Sequence, residues 1–108
     1  DLMVEASAEP SVLAGLHGSP NYVLQTNLVG TLNCLEFARR RSPNLIFLST
    51  SRVYSIQPLC GLQRRETETR FELEPQQRFT GASLHGIAEE FPTHLPRSLY
   101  GATKLAPN

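Results

Sequence analysis

The sequence predicts an α/β fold with a parallel sheet, and three stretches carry that prediction. Asp1-Leu2-Met3-Val4 is a short apolar run that suits a strand. A leucine-periodic stretch opening at Ser19-Pro20 suits a helix. Leu45-Ile46-Phe47-Leu48 is a continuous apolar run of the kind found in buried parallel strands. Strand, helix and strand in that order make a βαβ unit with a right-handed crossover.

Composition sets the outer bounds. The 108 residues amount to about one small domain, and 40% hydrophobic with 19% charged residues describes a globular chain. Ten acidic and ten basic residues cancel, which removes the electrostatic case for nucleic acid or an anionic membrane. No apolar run approaches the roughly 18 residues of a membrane span, and no basic-then-apolar leader is present, so neither span nor signal peptide is expected. Cys34 and Cys60 lack C-x-x-C spacing; a disulfide stays open, with two reduced thiols in a cytosolic protein as the default expectation. His17, His85 and His94 lie far apart without metal-ligand spacing, so no metal is expected. The start at Asp1 without a methionine, and the end at Ala106-Pro107-Asn108, lead to the expectation of a piece of something longer.

Along the chain, the small residues Ala6, Ser7 and Ala8 follow the first strand, and Glu9-Pro10-Ser11-Val12 turns it. Ser19-Pro20 places a capping serine before a proline at the first helical position. Leu24, Leu28, Leu32 and Leu35 then form the expected apolar stripe, ending near Arg39-Arg40-Arg41, whose charges suit a helix C-terminus. Ser42-Pro43 is the expected stop. After the second strand, Ser49-Thr50-Ser51 lies at the same sheet edge as Ala6-Ser7-Ala8, because ligands in such sheets bind beyond the C-terminal strand ends.

From Ile56 to Pro96 no period is convincing, and four of the eight prolines argue against a long regular element there. Arg64-Arg65-Glu66 and Glu72-Leu73-Glu74 read as solvated surface, and Phe71, Leu73, Phe79, Leu84, Ile87 and Phe91 as the residues that pin an ordered excursion. Pro96-Arg97-Ser98 then starts a helix that Pro107 cannot continue.

That last helix carries Tyr100 and, four residues on, Lys104, the only lysine among ten basic residues. One helical turn puts both side chains on one face. An ammonium beside a phenol favours the phenolate, which makes a general base usable near neutral pH. The plain alternative is an exposed pair without function, since short motifs occur by chance.

Four blocks in order outweigh that alternative. They are DLMVEASAEPSV from Asp1, the helix stretch from Asn27 through Gly30-Thr31 to Leu35-Glu36, FLSTSRVY from Phe47 to Tyr54, and Ser98 to Lys104. Together they resemble the extended short-chain dehydrogenase/reductases, the NAD-dependent nucleotide-sugar epimerases and dehydratases. The resemblance implies that residues 1–108 are the middle segment of a Rossmann-like doubly wound parallel sheet, a central βαβ with the catalytic helix. It implies Tyr100 as acid/base, Lys104 on the nicotinamide ribose, and Thr50 as the hydroxyl that positions the reacting oxygen, with Ser51 in reserve. It also implies NAD contacts from Ala6, Ser7, Ala8, Asn27 and Ser49, and substrate contacts from Thr50, Ser51 and Arg52. A nucleotide-sugar substrate, a cytoplasmic location and a homodimer through helices that include the Tyr100 helix complete the implication.

Within the family, dehydratases carry an Asp-Glu pair after the threonine, whereas Ser51 and Arg52 stand here. Arg52-Val53-Tyr54 and the stretch from Glu66 to Phe71 resemble the CDP-paratose 2-epimerases, also called CDP-tyvelose epimerases. UDP-hexose 4-epimerases share the four blocks and are the alternative. Glu5 stands where histidine is usual, and Ala6-Ser7 replaces a more common apolar pair. The glycine-rich G-x-x-G-x-x-G loop for the pyrophosphate and the substrate-binding C-terminal region belong, by the resemblance, outside these residues. A second reading is therefore a catalytically inactive fragment or remnant, and a third, a generic α/β interaction module, explains none of the four blocks.

Overall fold

The computed structural model describes residues 1–41 and 44–108, which divide into two compact units, Asp1–Val53 with Ser98–Asn108 and Tyr54–Arg97. In the first unit, β1 (Leu2–Glu5) pairs in parallel with β2 (Asn44–Phe47), setting Val4 against Ile46 and Glu5 against Phe47. Parallel neighbours need a crossover, and the helical connection between them supplies it. The βαβ unit is therefore present, with each strand displaced by one residue from the apolar run that foretold it. These two strands are the whole sheet of this unit among the described residues.

The second strand is less buried than its sequence suggested. Ile46 and Leu48 are about half exposed, as are Leu2 and Val4. A helix covers only one side of the pair, the side that carries Met3, Glu5, Leu45 and Phe47. Apolar composition is satisfied on that side alone.

The connection is a broken rod. A short helix α1 (Ala14–His17), which the sequence did not signal, precedes α2 (Pro20–Val23). Ser19 occupies the N-cap of α2 and Pro20 its first position, as expected. The chain then widens into π turns over Leu24–Val29, where the Gly30 N–H donates to the Gln25 carbonyl five residues back. An α-helix resumes as α3 (Gly30–Arg41), with Arg39, Arg40 and Arg41 in its last turn. The expected stop at Ser42-Pro43 lies outside the described residues.

The leucine stripe is the main correction. Leu24, Leu32 and Leu35 are exposed, whereas Val23, Asn27, Thr31 and Ala38 are buried and Cys34 half-buried. The buried face thus runs one position ahead of the leucines, at the same spacing of four and three. The C-terminal helix packs on these π turns, and small or hydrogen-bonding side chains fill the buried face there in place of leucine.

Helix α5 (Leu99–Leu105) begins where Ser98 Oγ accepts the Gly101 N–H at 3.1 Å. It ends before Pro107, whose missing N–H cannot continue the ladder. Gly101 is fixed by a neighbour: a Cβ there would overlap the Arg52 carbonyl oxygen.

The second unit holds only short elements. Helix α4 (Ile56–Cys60) is followed by an antiparallel hairpin, β3 (Arg64–Glu66) with β4 (Phe71–Leu73). A smaller hairpin pairs β5 (Ala82–Ser83) with β6 (Gly86–Ile87). Phe91, 1% exposed, is its centre and meets Tyr54 and Phe79 edge to face. Ser55 Oγ both donates to the Leu95 carbonyl and accepts its N–H, tying the two ends of the unit. Gly81, at φ 80°, turns against the Phe91 backbone where a side chain has no room. Phe71, Leu84 and Ile87, expected to pin this segment, are exposed instead. Hairpins this short have no second layer to bury them. Arg65 and Arg70 both pair with Glu72 on the surface. No helix among the described residues is long and apolar enough to cross a membrane.

Candidate functional site

The parallel register brings the two strand ends together, and the Leu48 N–H donates to the Glu5 carbonyl at 2.9 Å. Ala6-Ser7-Ala8 and Ser49-Thr50-Ser51 therefore leave the sheet at one edge, as the sequence implied. Thr50 is half-buried; its Oγ1 accepts the Arg52 N–H at 3.3 Å, and its carbonyl accepts the Val53 N–H as a 3₁₀ turn forms over Ser51–Val53. Ser51 and Arg52 are exposed, and Ser49 Oγ accepts from Asn108 Nδ2 at 3.0 Å. Helix α5 packs directly on this turn through Gly101. The Thr50 loop and the helix bearing Tyr100 and Lys104 thus form one wall.

Tyr100 is half-buried, and its hydroxyl makes no hydrogen bond within the described residues. Lys104 is only 3% exposed, with Nζ 4.3 Å from the centre of the Phe47 ring. Burial pushes the Lys104 ammonium below its ordinary pKa, and the charge of Glu5 partly restores it. Glu5 is itself buried, at 4% exposure. Ser7 donates twice to its Oε1, from N at 2.8 Å and Oγ at 2.5 Å, and the Cys34 thiol donates to Oε2. Burial pushes the Glu5 carboxyl up, but these hydrogen bonds, led by Cys34, and the Lys104 charge hold it below the usual carboxylate value. The same hydrogen bond, with burial, pushes the Cys34 thiol up from 9.0 to about 11, so it stays protonated. Cys34 and Cys60 are both free.

Asn27 sits fully buried in the π turns. Its Oδ1 accepts the Glu9 N–H at 2.7 Å, and its Nδ2 donates to the Glu9 carbonyl and to Thr103 Oγ1. Thr31 Oγ1 donates to the Asn27 carbonyl, and Thr103 Oγ1 to that of Tyr100. This cluster ties the loop after β1, the π turns and α5 into one unit. Asn27 thereby acts on the strand-end loop through Glu9, with its own amide engaged.

The sequence singled out Tyr100, Lys104, Thr50 and Asn27 and missed Glu5, Cys34, Phe47 and Thr103. One signal was available for Glu5: it occupies the inward position of an apolar strand, where a carboxylate needs partners. The open concavity of the second unit, lined by Gln63, Glu74, Pro75, Gln76, Gln77 and Arg78, holds none of the candidate residues. No cluster of three or more histidine, cysteine or acidic side chains among the described residues could hold a metal ion.

A parallel strand pair with a tyrosine–lysine helix beside its C-terminal end makes this a mixed α/β protein. The model of the NAD-dependent epimerase/dehydratase family matches residues 1–107, and the chain belongs to that family. No curated protein matches it. Membership implies a nicotinamide cofactor. The residues present fit its ribose end, because Lys104 offers ammonium donors with no oxygen acceptor among the described residues. They include no glycine-rich phosphate cradle.

Proposed function

We propose that this chain supplies the catalytic segment of an NAD-dependent nucleotide-sugar epimerase, closest in type to the CDP-paratose 2-epimerases, as the middle of a Rossmann-like doubly wound domain. One observation carries the reading: the Thr50 turn is packed through Gly101 onto the helix of Tyr100 and Lys104. A hydroxyl and a phenol on one wall suit proton exchange with a sugar hydroxyl. The cofactor, when bound, supplies hydride acceptance from a sugar carbon and hydride return.

Each chain residue then has a physical task. Tyr100 takes the proton of the sugar hydroxyl and gives it back, as a general acid and base on the helix that also carries Lys104. Lys104 holds the ribose hydroxyls. Thr50 positions the reacting oxygen, with Ser51 beside it. Arg52 is exposed on the 3₁₀ turn, and its charge suits an anionic substrate group. Ala6, Ser7, Ala8, Asn27 and Ser49 shape the strand-end rim toward the cofactor. Ser51 and Arg52, where an acidic pair would serve elimination, favour epimerisation over dehydration.

The protein is cytoplasmic and a homodimer through its helices in this reading, and its substrate class is a nucleotide sugar. The test incubates it with NAD and either CDP-paratose or UDP-galactose. Epimer formation from the CDP sugar without net cofactor reduction supports the proposal. Turnover of the UDP sugar alone favours a UDP-hexose 4-epimerase, and loss of water from either marks a dehydratase. No turnover and no NAD binding would make the chain a catalytically inactive remnant.

A further inference from the structure

We propose that Glu5 is a positioning residue of this site, whose buried carboxylate is the counter-charge that keeps Lys104 an ammonium. The inference deepens the reading above, on which the need for a cation at Lys104 rests; the charge relation itself stands on the geometry.

Lys104 is buried where water does little to stabilise its charge, and no carboxylate closes an ion pair on it among the described residues. Its Nζ rests on the ring of Phe47, the cross-strand partner of Glu5. Paired residues of parallel strands project from the same face, so Glu5 and the ring lie side by side beneath the ammonium. Glu5 is the only buried acidic residue among those described. Three donors, the Ser7 N–H, the Ser7 hydroxyl and the Cys34 thiol, hold both of its oxygens.

Nothing nearby competes for that role. His17 of α1, Tyr22 of α2 and Arg52 of the 3₁₀ turn lie on the elements packed against α5, and all three are exposed. Cys34 stays a neutral thiol, Tyr100 shares the helix, and Asn27 and Thr103 carry no charge. Among the described residues, the charge that raises the Lys104 amine against burial is that of Glu5. An acidic residue used only as a hydrogen-bond acceptor could be exchanged for its amide with little effect on that amine. A counter-charge could not.

Lys104 is the only lysine of these residues, which makes the test direct. Protein labelled with ¹³C-lysine gives a Cε resonance that follows amine protonation, assigned with Lys104→Arg. Glu5→Gln is expected to lower the Lys104 titration midpoint by about one unit, a tenfold loss of ammonium within that window. Glu5→Asp is expected to recover part of that shift. Coincident titrations in folded wild type and Glu5→Gln would overturn the proposal. Should Glu5→Gln fail to fold, the wild type still decides: the Lys104 resonance must inflect a second time in acid as Glu5 takes up its proton, and a flat acid limb overturns the proposal. Neither readout involves cofactor, so failure to bind NAD would sink the proposed function and leave this result standing.

Discussion

Helix α5 meets two polar clusters, and they are built on opposite principles. Around Asn27 every group is neutral and every hydrogen bond closes on another chain atom, from Glu9 to Thr103 to Tyr100. The second cluster holds two charges among neutral donors, the Glu5 carboxylate and the Lys104 ammonium, and the ammonium is left on an aromatic ring with no oxygen partner among the described residues. A closed neutral network fixes geometry, whereas an open charged one retains capacity to bind. The first cluster is scaffold, and the second is where a ligand would gain most.

The neutral cluster fails first at Asn27. Asn27→Leu strands the N–H and carbonyl of Glu9, at about 1–3 kcal/mol for each group left without a partner. Urea unfolding should show that loss, while the charged cluster keeps its Lys104 titration wherever the variant folds. Gly101→Ala comes next. Its methyl must displace the Arg52 carbonyl, an overpacking expected to cost about 1–3 kcal/mol. Activity should fall further than stability in this variant, because the Thr50 turn moves off the helix.

Cys34 sharpens the comparison through pH. Its pKa is raised on folding, from 9.0 to about 11, so its contribution to stability is complete below pH 9 and fades as pH rises toward 11. Glu5 runs the other way: its lowered pKa stabilises the fold above the ordinary carboxylate value, and the contribution is lost as pH falls through the folded value. Cys34→Ala should flatten the alkaline decline and weaken the acid one, read as melting temperature against pH. The smallest effect belongs to Leu32→Gln. Leu32 is 51% exposed and outside both clusters, so stability should move by no more than about 0.5 kcal/mol.

Much of the scaffold was legible because local chemistry decides it. Pro20 marks a helix start through its missing N–H and Ser98 through its capping bond, and the apolar runs mark the two strands. The helix face was not legible. Leucines at helical spacing are the ordinary sign of a core stripe, yet here Asn27 and Thr31 are inside and Leu32 and Leu35 are outside. The π turns in this stretch hold Asn27, whose bonds run to residues far along the chain. Of the candidate site, spacing pointed to Tyr100 and Lys104, and the resemblance pointed to Thr50. The partners of Glu5 were not, since Cys34 lies 29 residues away and only the fold brings it to the carboxylate.

In the proposed function, Lys104 and its surroundings hold the cofactor. Calorimetric titration of NAD into the protein and into its Lys104→Met variant tests it most directly. Binding by the wild type and at least about a tenfold loss in the variant are expected, the worth of one charge-assisted hydrogen bond. Equal affinity in the two proteins would contradict it.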